Sequence, residues 1–196
     1  MNDEQGFAFL RKQAEQSAVL RKAVIEDLGQ QVLDMAAVIS GVIGAGGKLL
    51  LCGNGGSAAD ASHFAGEMIV RLTAERNRQS LPALALNADT IVMTAAANDY
   101  GFENVFARQV EGLGHKGDML FVISTSGNSA NLIKAVQAAR ERGMLTAGLL
   151  GGKGGRLAPM VDRALIIPHT STQRIQEEHI FLIHVLVELV ESGLFG

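Results

Sequence analysis

A histidine and a glutamate, His63 and Glu67, stand four residues apart in a segment whose pattern predicts a helix. Side chains with this spacing lie on the same face of an α-helix, so the two groups can act together. An imidazole beside a carboxylate suits an acid/base pair or two ligands of a metal ion. A solvated helix face is the alternative, and the spacing alone leaves all three open.

The residues before this pair form a glycine-rich turn, Gly53-Asn54-Gly55-Gly56-Ser57, which follows a short apolar strand. Glycines let the backbone bend sharply or come close to a ligand. Ser57 begins the helix, where free N–H groups and the helix dipole favour an anion. The turn matches the dinucleotide-binding motif only loosely, and the chain lacks the phosphate loop of nucleoside triphosphatases. We therefore expect an anion site here rather than a dinucleotide site.

A second turn, Ser124-Thr125-Ser126-Gly127-Asn128-Ser129, carries four hydroxyl groups directly before a helix. Hydroxyls together with the N–H groups of a helix start suit a phosphate monoester. Taken alone, the segment also reads as an ordinary serine-rich turn with an N-cap. The glycine turn at the equivalent place after the first strand favours the phosphate interpretation.

The last helical segment carries Gln176 near its start and His184 in a strongly apolar stretch further on. His184 is expected to be at least half buried, where a backbone carbonyl could satisfy it or a functional site could use it. The two residues are separated by about 12 Å along a helix and about 80° around it. They could meet at one site only by approaching it from opposite ends, a constraint that a site shared between subunits would relax. Elsewhere, a predicted turn at Asn98-Asp99-Tyr100-Gly101 could bring Asp99 near a substrate, although turns favour these residue types anyway.

The elements that must position these residues alternate between strands and helices. Several of the predicted strands are continuous apolar runs, which is typical of a parallel sheet covered on both faces. In such sheets the ligand lies at the carboxyl ends of the strands, where both turns would open. We predict strands at 48–52, 82–86, 118–123, 145–150 and 164–167, preceded by two helices at 6–28 and 30–43, with an exposed polar loop at 73–80 and a mobile glycine loop at 151–155.

Composition narrows the class of protein. The 196 residues are 47% hydrophobic and 19% charged, which suits one soluble domain with a substantial core. A formal charge of −3 gives no polybasic footprint, so a nucleic-acid partner is not expected. Cys52 is the one cysteine and is predicted to be a buried hydrophobe. The polar N-terminus is unlike a signal peptide, and the apolar run at 180–190 is too short to span a bilayer, so we expect a cytoplasmic protein without membrane contact.

Taken together, these segments resemble the sugar-isomerase (SIS) domain proteins, and more narrowly the bacterial sedoheptulose-7-phosphate isomerases, also called phosphoheptose isomerases. The hydroxyl-rich turn is shared widely by SIS domains, whereas the set of His63, Glu67, Gln176 and His184 is more specific to this group. The likeness covers nearly the whole chain. It is carried by Gly53–Ser57 with His63 and Glu67, by Asn98–Phe102, by Ser124–Ser129, and by Arg174–Glu177 with His184.

The resemblance implies a three-layer α/β/α sandwich with a five-stranded parallel sheet, formed by residues 1–196 as one SIS domain. It also implies a homotetramer with its sites at subunit interfaces, and residues 1–45 are expected at such an interface. The implied reaction converts D-sedoheptulose 7-phosphate to D-glycero-D-manno-heptose 7-phosphate, toward the heptose of lipopolysaccharide or other bacterial surface glycans. One zinc ion per subunit is implied as well.

The resemblance also implies roles for individual residues. Glu67 and His184 match the acid/base pair, and the same two residues with His63 and Gln176 match the zinc site. The positions that match substrate-binding residues are Asn54, Gly55, Gly56, Ser57, Arg71, Asn98, Asp99, Ser124, Thr125, Ser126, Ser129 and Gln176. One departure is visible at Gln173, where some members have an aspartate near the substrate.

The same fold also resembles a non-enzymatic protein that binds the bacterial replication initiator. The stretch 80–87 has some likeness to that protein. Its members carry other residues at the positions of Glu67 and His184, so the presence of both side chains here favours the enzyme.

Overall fold

The computed structural model describes residues 2–196, in which five parallel strands are covered by helices on both faces. The strand order is β2-β1-β3-β4-β5, and each strand runs parallel to its neighbours. This confirms the predicted α/β fold class. The elements are α1 Asp3–Gly44, β1 Leu49–Gly53, α2 Gly56–Ile69, β2 Ala83–Ala85, α3 Thr90–Tyr100, a 3₁₀ turn Phe102–Asn104, α4 Val105–Leu113, β3 Met119–Ser124, α5 Ala130–Glu141, β4 Leu145–Gly151, β5 Arg163–Ile167 and α6 Thr172–Phe195.

The core lies in two layers because successive strand residues point to opposite faces of the sheet. Leu49 and Leu51 of β1 pack into one layer with α1, α2 and α6. Leu50 and Cys52 pack into the other layer with α3, α4 and α5. Both sets are fully buried, which explains why the strand sequence is apolar throughout rather than alternating. Burial also raises the pKa of the Cys52 thiol, so this cysteine is the inert hydrophobe that the sequence predicted.

The two leading helices predicted from the sequence are one continuous helix, α1, of 42 residues. Gly29, which falls between the two predicted helices, lies in the helix interior, where glycine costs about 1 kcal/mol relative to alanine. Buried residues on both sides of it, Val24 and Val32, pack into the same core layer. The packing of one apolar stripe therefore outweighs the weak propensity of a single glycine. The first buried residue is Leu20, so the N-terminal part of α1 makes little contact with the core.

Two connecting segments also differ from the prediction. Asn98, Asp99 and Tyr100 form the last turn of α3, and the helix ends at Gly101, whose φ of 81° favours glycine. The loop at 73–80 is largely exposed as predicted, yet the side chain of Arg78 is only 1% exposed. Sequence polarity identified the loop but gave no sign that one of its cations turns inward.

Candidate active site

Helix α2 places His63 and Glu67 on one face, as their spacing predicts. Nε2 of His63 lies 3.5 Å from Oε1 of Glu67, with side chains 41% and 21% exposed. The helix starts at the glycine turn, where Gly55 has a φ of 56° and the following Ser57 is buried. The pair is therefore partly open to solvent, close enough for a proton or a cation to be shared.

His184 of α6 meets this pair within the same chain. Its Nε2 lies 2.8 Å from Nε2 of His63, and the two rings are edge to face with centroids 5.0 Å apart. At this distance one ring nitrogen donates a hydrogen bond to the other, which requires at least one neutral ring. The structure thus joins three of the residues that the sequence singled out.

Gln176 lies at the other end of the same helix pair. Its side-chain amide packs against Gly56, where an added Cβ would collide with it. Because His184 meets His63 while Gln176 meets Gly56, α2 and α6 run side by side in the same direction. Gln176 therefore stands at the start of α2, and Gly56 is the residue that makes room for its amide.

The side chains of His63, His184 and Glu67 are of the types that bind zinc, since imidazole and carboxylate are its usual nitrogen and oxygen ligands. Two nitrogens bound to one tetrahedral zinc lie about 3.3 Å apart, so the 2.8 Å between the two histidines would have to open by about half an ångström. Within residues 2–196 no three His, Cys, Asp or Glu side chains stand ready to hold an ion. His63, Glu67 and His184 fit the metal by the chemistry of their donor atoms, and the two rings would have to separate for an ion to enter.

The two predicted anion turns are joined by an amide pair. Asn54 and Asn131 exchange two side-chain hydrogen bonds of 2.9 and 2.8 Å, and Asn131 is 3% exposed. Asn54 therefore holds the first turn against α5. The sequence analysis did not identify Asn131 as a candidate residue. Its place two residues after Ser129, at the start of the helix that follows the hydroxyl-rich turn, is the feature that could have identified it.

The hydroxyl-rich turn is braced from within and from outside. The Ser124 hydroxyl accepts a hydrogen bond of 3.0 Å from the N–H of Gly127. The segment predicted as a mobile glycine loop packs on this turn, since a Cβ added at Gly155 would collide with Ser126 and Gly127. Just after the loop, the N–H of Leu157 donates to the carbonyl of Gly127 at 2.9 Å. Ser129 is the N-cap of α5 and makes no capping hydrogen bond with its side chain. Its hydroxyl and those of Thr125 and Ser126, which are half-buried or exposed, remain available to a phosphate.

Three predicted substrate-binding residues lie apart from this cluster. Arg71, Asn98 and Asp99 are exposed. The Asn98 amide donates to Asp99 at 2.8 Å, and among residues 2–196 no hydrogen bond or ion pair links these three residues to the other candidate residues. Asp99 also lines a cavity of about 620 Å³ beside the edge strand β2. Their roles remain predictions.

Two titratable groups with shifted pKa values, half-buried Asp60 on α2 and buried His179 on α6, lie on the helices of the cluster. Burial raises the pKa of Asp60 to about 6, an effect that the nearby His63 opposes, and its Oδ2 has no hydrogen-bond partner. Burial lowers the pKa of His179 on α6 to about 4. Nε2 of His179 lies 3.2 Å from the carbonyl oxygen of Leu150 and donates to it. The carbonyl partner that the sequence offered for His184 is thus found at His179 instead.

Comparison with known proteins decides the family. The SIS domain pattern matches residues 13–151. The chain is 51% identical over 177 residues to the phosphoheptose isomerase of Chlorobaculum parvum, covering 90% of this chain and 85% of the relative. It is 48% identical over 189 residues to that of Trichlorobacter lovleyi, covering 96% and 95%. The chain belongs to the phosphoheptose isomerase family of SIS-domain proteins.

Solved structures of the phosphoheptose isomerase family agree in fold. The enzyme from Neisseria gonorrhoeae superposes with a TM-score of 0.88 at 43% identity, covering 94% of this chain and 98% of that one. The enzyme from Francisella tularensis gives a TM-score of 0.91 at 34% identity, covering 95% and 98%. Membership of this family selects the enzyme over the initiator-binding protein.

Among the residues that the structure describes, no helix has the length and apolarity needed to cross a membrane.

Proposed function

We infer that the protein is a ketose–aldose isomerase that converts D-sedoheptulose 7-phosphate to D-glycero-D-manno-heptose 7-phosphate. The observation that carries this inference is the meeting of His63, Glu67 and His184 in a chain about half identical to phosphoheptose isomerases. A phosphosugar isomerase needs a phosphate-binding site and a group that transfers protons. The hydroxyl-rich turn supports the first, and the three clustered side chains support the second.

The reaction moves a proton between C1 and C2 of the sugar through an enediol. In the proposed mechanism the Glu67 carboxylate takes the proton from carbon and returns it to the neighbouring carbon. The imidazole of His184 gives and takes the proton on the oxygens, and its contact with His63 holds the ring in place. General acid–base catalysis of this kind contributes roughly 10²–10⁴-fold in rate. The phosphate, held at Ser124–Ser129, fixes the distance of the reacting carbons from the pair.

We propose that His63, Glu67, His184 and Gln176 hold one zinc ion, for which the Gln176 amide would have to leave its contact with Gly56 and turn toward the other three side chains. When bound, zinc would polarise the carbonyl of the substrate and hold the two oxygens of the enediol. Glutamine is outside the usual set of zinc ligands, which favours a weak and exchangeable site. A carboxylate that binds a cation is a weaker base, so the two roles proposed for Glu67 compete with each other.

We further propose a cytoplasmic homotetramer whose sites lie at subunit interfaces and whose product feeds bacterial surface heptose, including that of lipopolysaccharide. Exposed apolar side chains on α1, such as Phe7, Leu10 and Val19, support an interface there. A site completed by a second subunit would also give Arg71, Asn98 and Asp99 a place near the substrate.

The function is tested by incubating the purified protein with sedoheptulose 7-phosphate and detecting the aldose phosphate by NMR. Formation of the heptose 7-phosphate is expected, and unphosphorylated sedoheptulose should turn over far more slowly because its anchor is missing. Absence of any aldose product from the folded protein would overturn the assignment.

The zinc proposal is tested by chelation. Dialysis against a chelator should lower kcat by at least tenfold, and added zinc should restore it, because polarisation of the carbonyl is lost and regained. Metal content is measured in parallel by elemental analysis. Undiminished turnover in protein shown to be metal-free would refute the zinc role.

A further inference from the structure

Arg78 is a buried cation in the otherwise exposed segment between α2 and β2. Its side chain is only 1% exposed. All three guanidinium nitrogens donate hydrogen bonds, and apart from the carbonyl of the neighbouring Gln79 their acceptors belong to the two helices that carry the candidate acid/base residues. Buried arginine is costly unless it is fully paired, so this arrangement calls for an explanation beyond closing a loop.

Two of the acceptors are main-chain carbonyls at the end of α2. Nη2 of Arg78 donates to the carbonyl of Glu67 at 2.7 Å, and Nη1 donates to that of Met68 at 2.8 Å. The last carbonyls of a helix lack intrahelical partners and carry partial negative charge, which favours a cation there. The guanidinium thus holds the backbone of Glu67 itself.

The third nitrogen reaches α6. Nε of Arg78 donates to Oε1 of Glu191 at 2.7 Å, and the Glu191 side chain is 5% exposed. Glu191 follows His184 by seven residues, which is about two helical turns and returns to the same face of α6. One side chain therefore joins the end of α2 that carries Glu67 to the face of α6 that carries His184.

We propose that Arg78 is a positioning residue that sets the distance between Glu67 and His184. Apolar contacts between two helices are non-directional and permit small sliding movements, whereas a planar guanidinium with fixed donors does not. The inference rests on the roles proposed above for Glu67 and His184. Arg78 does not touch the substrate; it acts through the two helices.

The test compares three variants with the wild-type protein under conditions where each is folded. Arg78→Met should lower kcat by tenfold or more with KM changed less than threefold, because a misplacement of about 1 Å can cost 100-fold in rate. Arg78→Lys keeps the charge but loses the planar set of donors, so its kcat should lie between those of the wild type and Arg78→Met. In Arg78→Met/Glu191→Leu a buried ion pair is replaced by apolar groups, so thermal stability should recover while kcat remains low.

Asp118→Asn is the matched control. Asp118 pairs with Lys48 at 2.5 Å and also accepts a hydrogen bond from the N–H of His115 at 2.9 Å. It precedes β3, so it lies at the amino-terminal ends of the strands, opposite the two turns. The control should lose stability yet keep kcat within twofold. A second readout is the ¹⁵N NMR chemical shifts of the His63 and His184 rings at fixed pH, which should change in Arg78→Lys and not in Asp118→Asn.

Recovery of wild-type kcat in the double variant, or wild-type kcat together with unchanged histidine chemical shifts in Arg78→Lys, would overturn the proposal and leave Arg78 a purely structural residue. Failure of the underlying function looks different. In that case wild-type protein forms no heptose phosphate, or Glu67→Gln and His184→Ala retain full activity. If Arg78→Met does not fold, the double variant and Arg78→Lys decide the question.

Discussion

At the scale of single residues, the proposed chemistry depends on two side chains from different helices. Glu67 is 21% exposed, so its carboxylate keeps contact with solvent, while His184 is half-buried and held by His63. A base that must meet a substrate carbon needs an open position, and an acid that must keep its orientation needs a neighbour. The environments of the two residues match these different tasks.

Replacing either residue should remove isomerase activity while leaving the fold intact. Glu67→Gln loses the base and His184→Ala loses the acid, so kcat should fall by at least 100-fold in each, within the range for general acid–base catalysis. Turnover is measured by NMR and folding by circular dichroism. His115→Ala, a change of an exposed histidine in the α4–β3 connection, serves as the control and should remain active. Full activity in Glu67→Gln or in His184→Ala would contradict the proposed mechanism.

At the scale of elements, α1 shows how packing overrides local propensity. Gly29 in its interior has no atom within 4 Å of the place where a Cβ would stand. Gly29→Ala should therefore stabilise the protein by about 0.5–1 kcal/mol, because it lowers the conformational entropy of the unfolded chain without a clash. A rise of about 1–4 °C in the melting temperature is expected by calorimetry.

The contrasting change is Gly47→Ala, where an added Cβ would collide with the carbonyl of Gly117. This variant should lower the melting temperature. Equal shifts in the two variants would contradict the account of Gly29 as an unstrained interior position.

His179 makes α6 sensitive to acid. Its folded-state pKa of about 4 is below the ordinary value near 6.5, so the unfolded state binds more protons between these two pH values. The contribution to stability is complete above pH 6.5 and is lost as the pH falls toward 4. From pH 7 to pH 5 we expect a loss of about 1–2 kcal/mol in the free energy of unfolding from this group.

His179→Gln keeps a donor for the carbonyl of Leu150 but cannot become charged in this range. Urea unfolding at pH 7, 6 and 5 should give a flatter dependence for this variant than for the wild type. His115→Gln, at an exposed position, should follow the wild-type curve. A variant as acid-sensitive as the wild type would refute the role of His179.

At the scale of the whole molecule, the N-terminal part of α1 exposes large apolar side chains that the chain itself does not cover. Phe7, Leu10 and Val19 are 62%, 61% and 71% exposed. Apolar surface of this kind marks an interaction site on a soluble protein. This pattern favours the proposed contact between subunits through α1.

The double change Leu10→Glu/Val19→Glu should break the proposed tetramer into smaller species, as measured by light scattering. It should also lower activity if the sites are shared between subunits. Gln16→Glu, an exposed polar position on the same helix, is the control and should keep the wild-type mass. A monomeric wild-type protein, or an unchanged mass in the double variant, would contradict the interface.

Much of the molecule could be predicted from residue types and spacing alone. Continuous apolar strands between amphipathic helices determine a parallel sheet, because both faces of each strand must be buried. Glycine and hydroxyl residues after β1 and β3 indicated the two ligand turns. The four-residue spacing of His63 and Glu67 determined their shared face, since helical geometry is local.

Contacts between distant segments required the tertiary structure. The meeting of His184 with His63, the exchange of hydrogen bonds between Asn54 and Asn131, and the burial of Arg78 all join elements that are far apart in the chain. No local pattern encodes such pairings, because they depend on how α2, α5 and α6 pack on the sheet. The sequence by itself determined which groups were available for chemistry, and tertiary packing decided which of them meet.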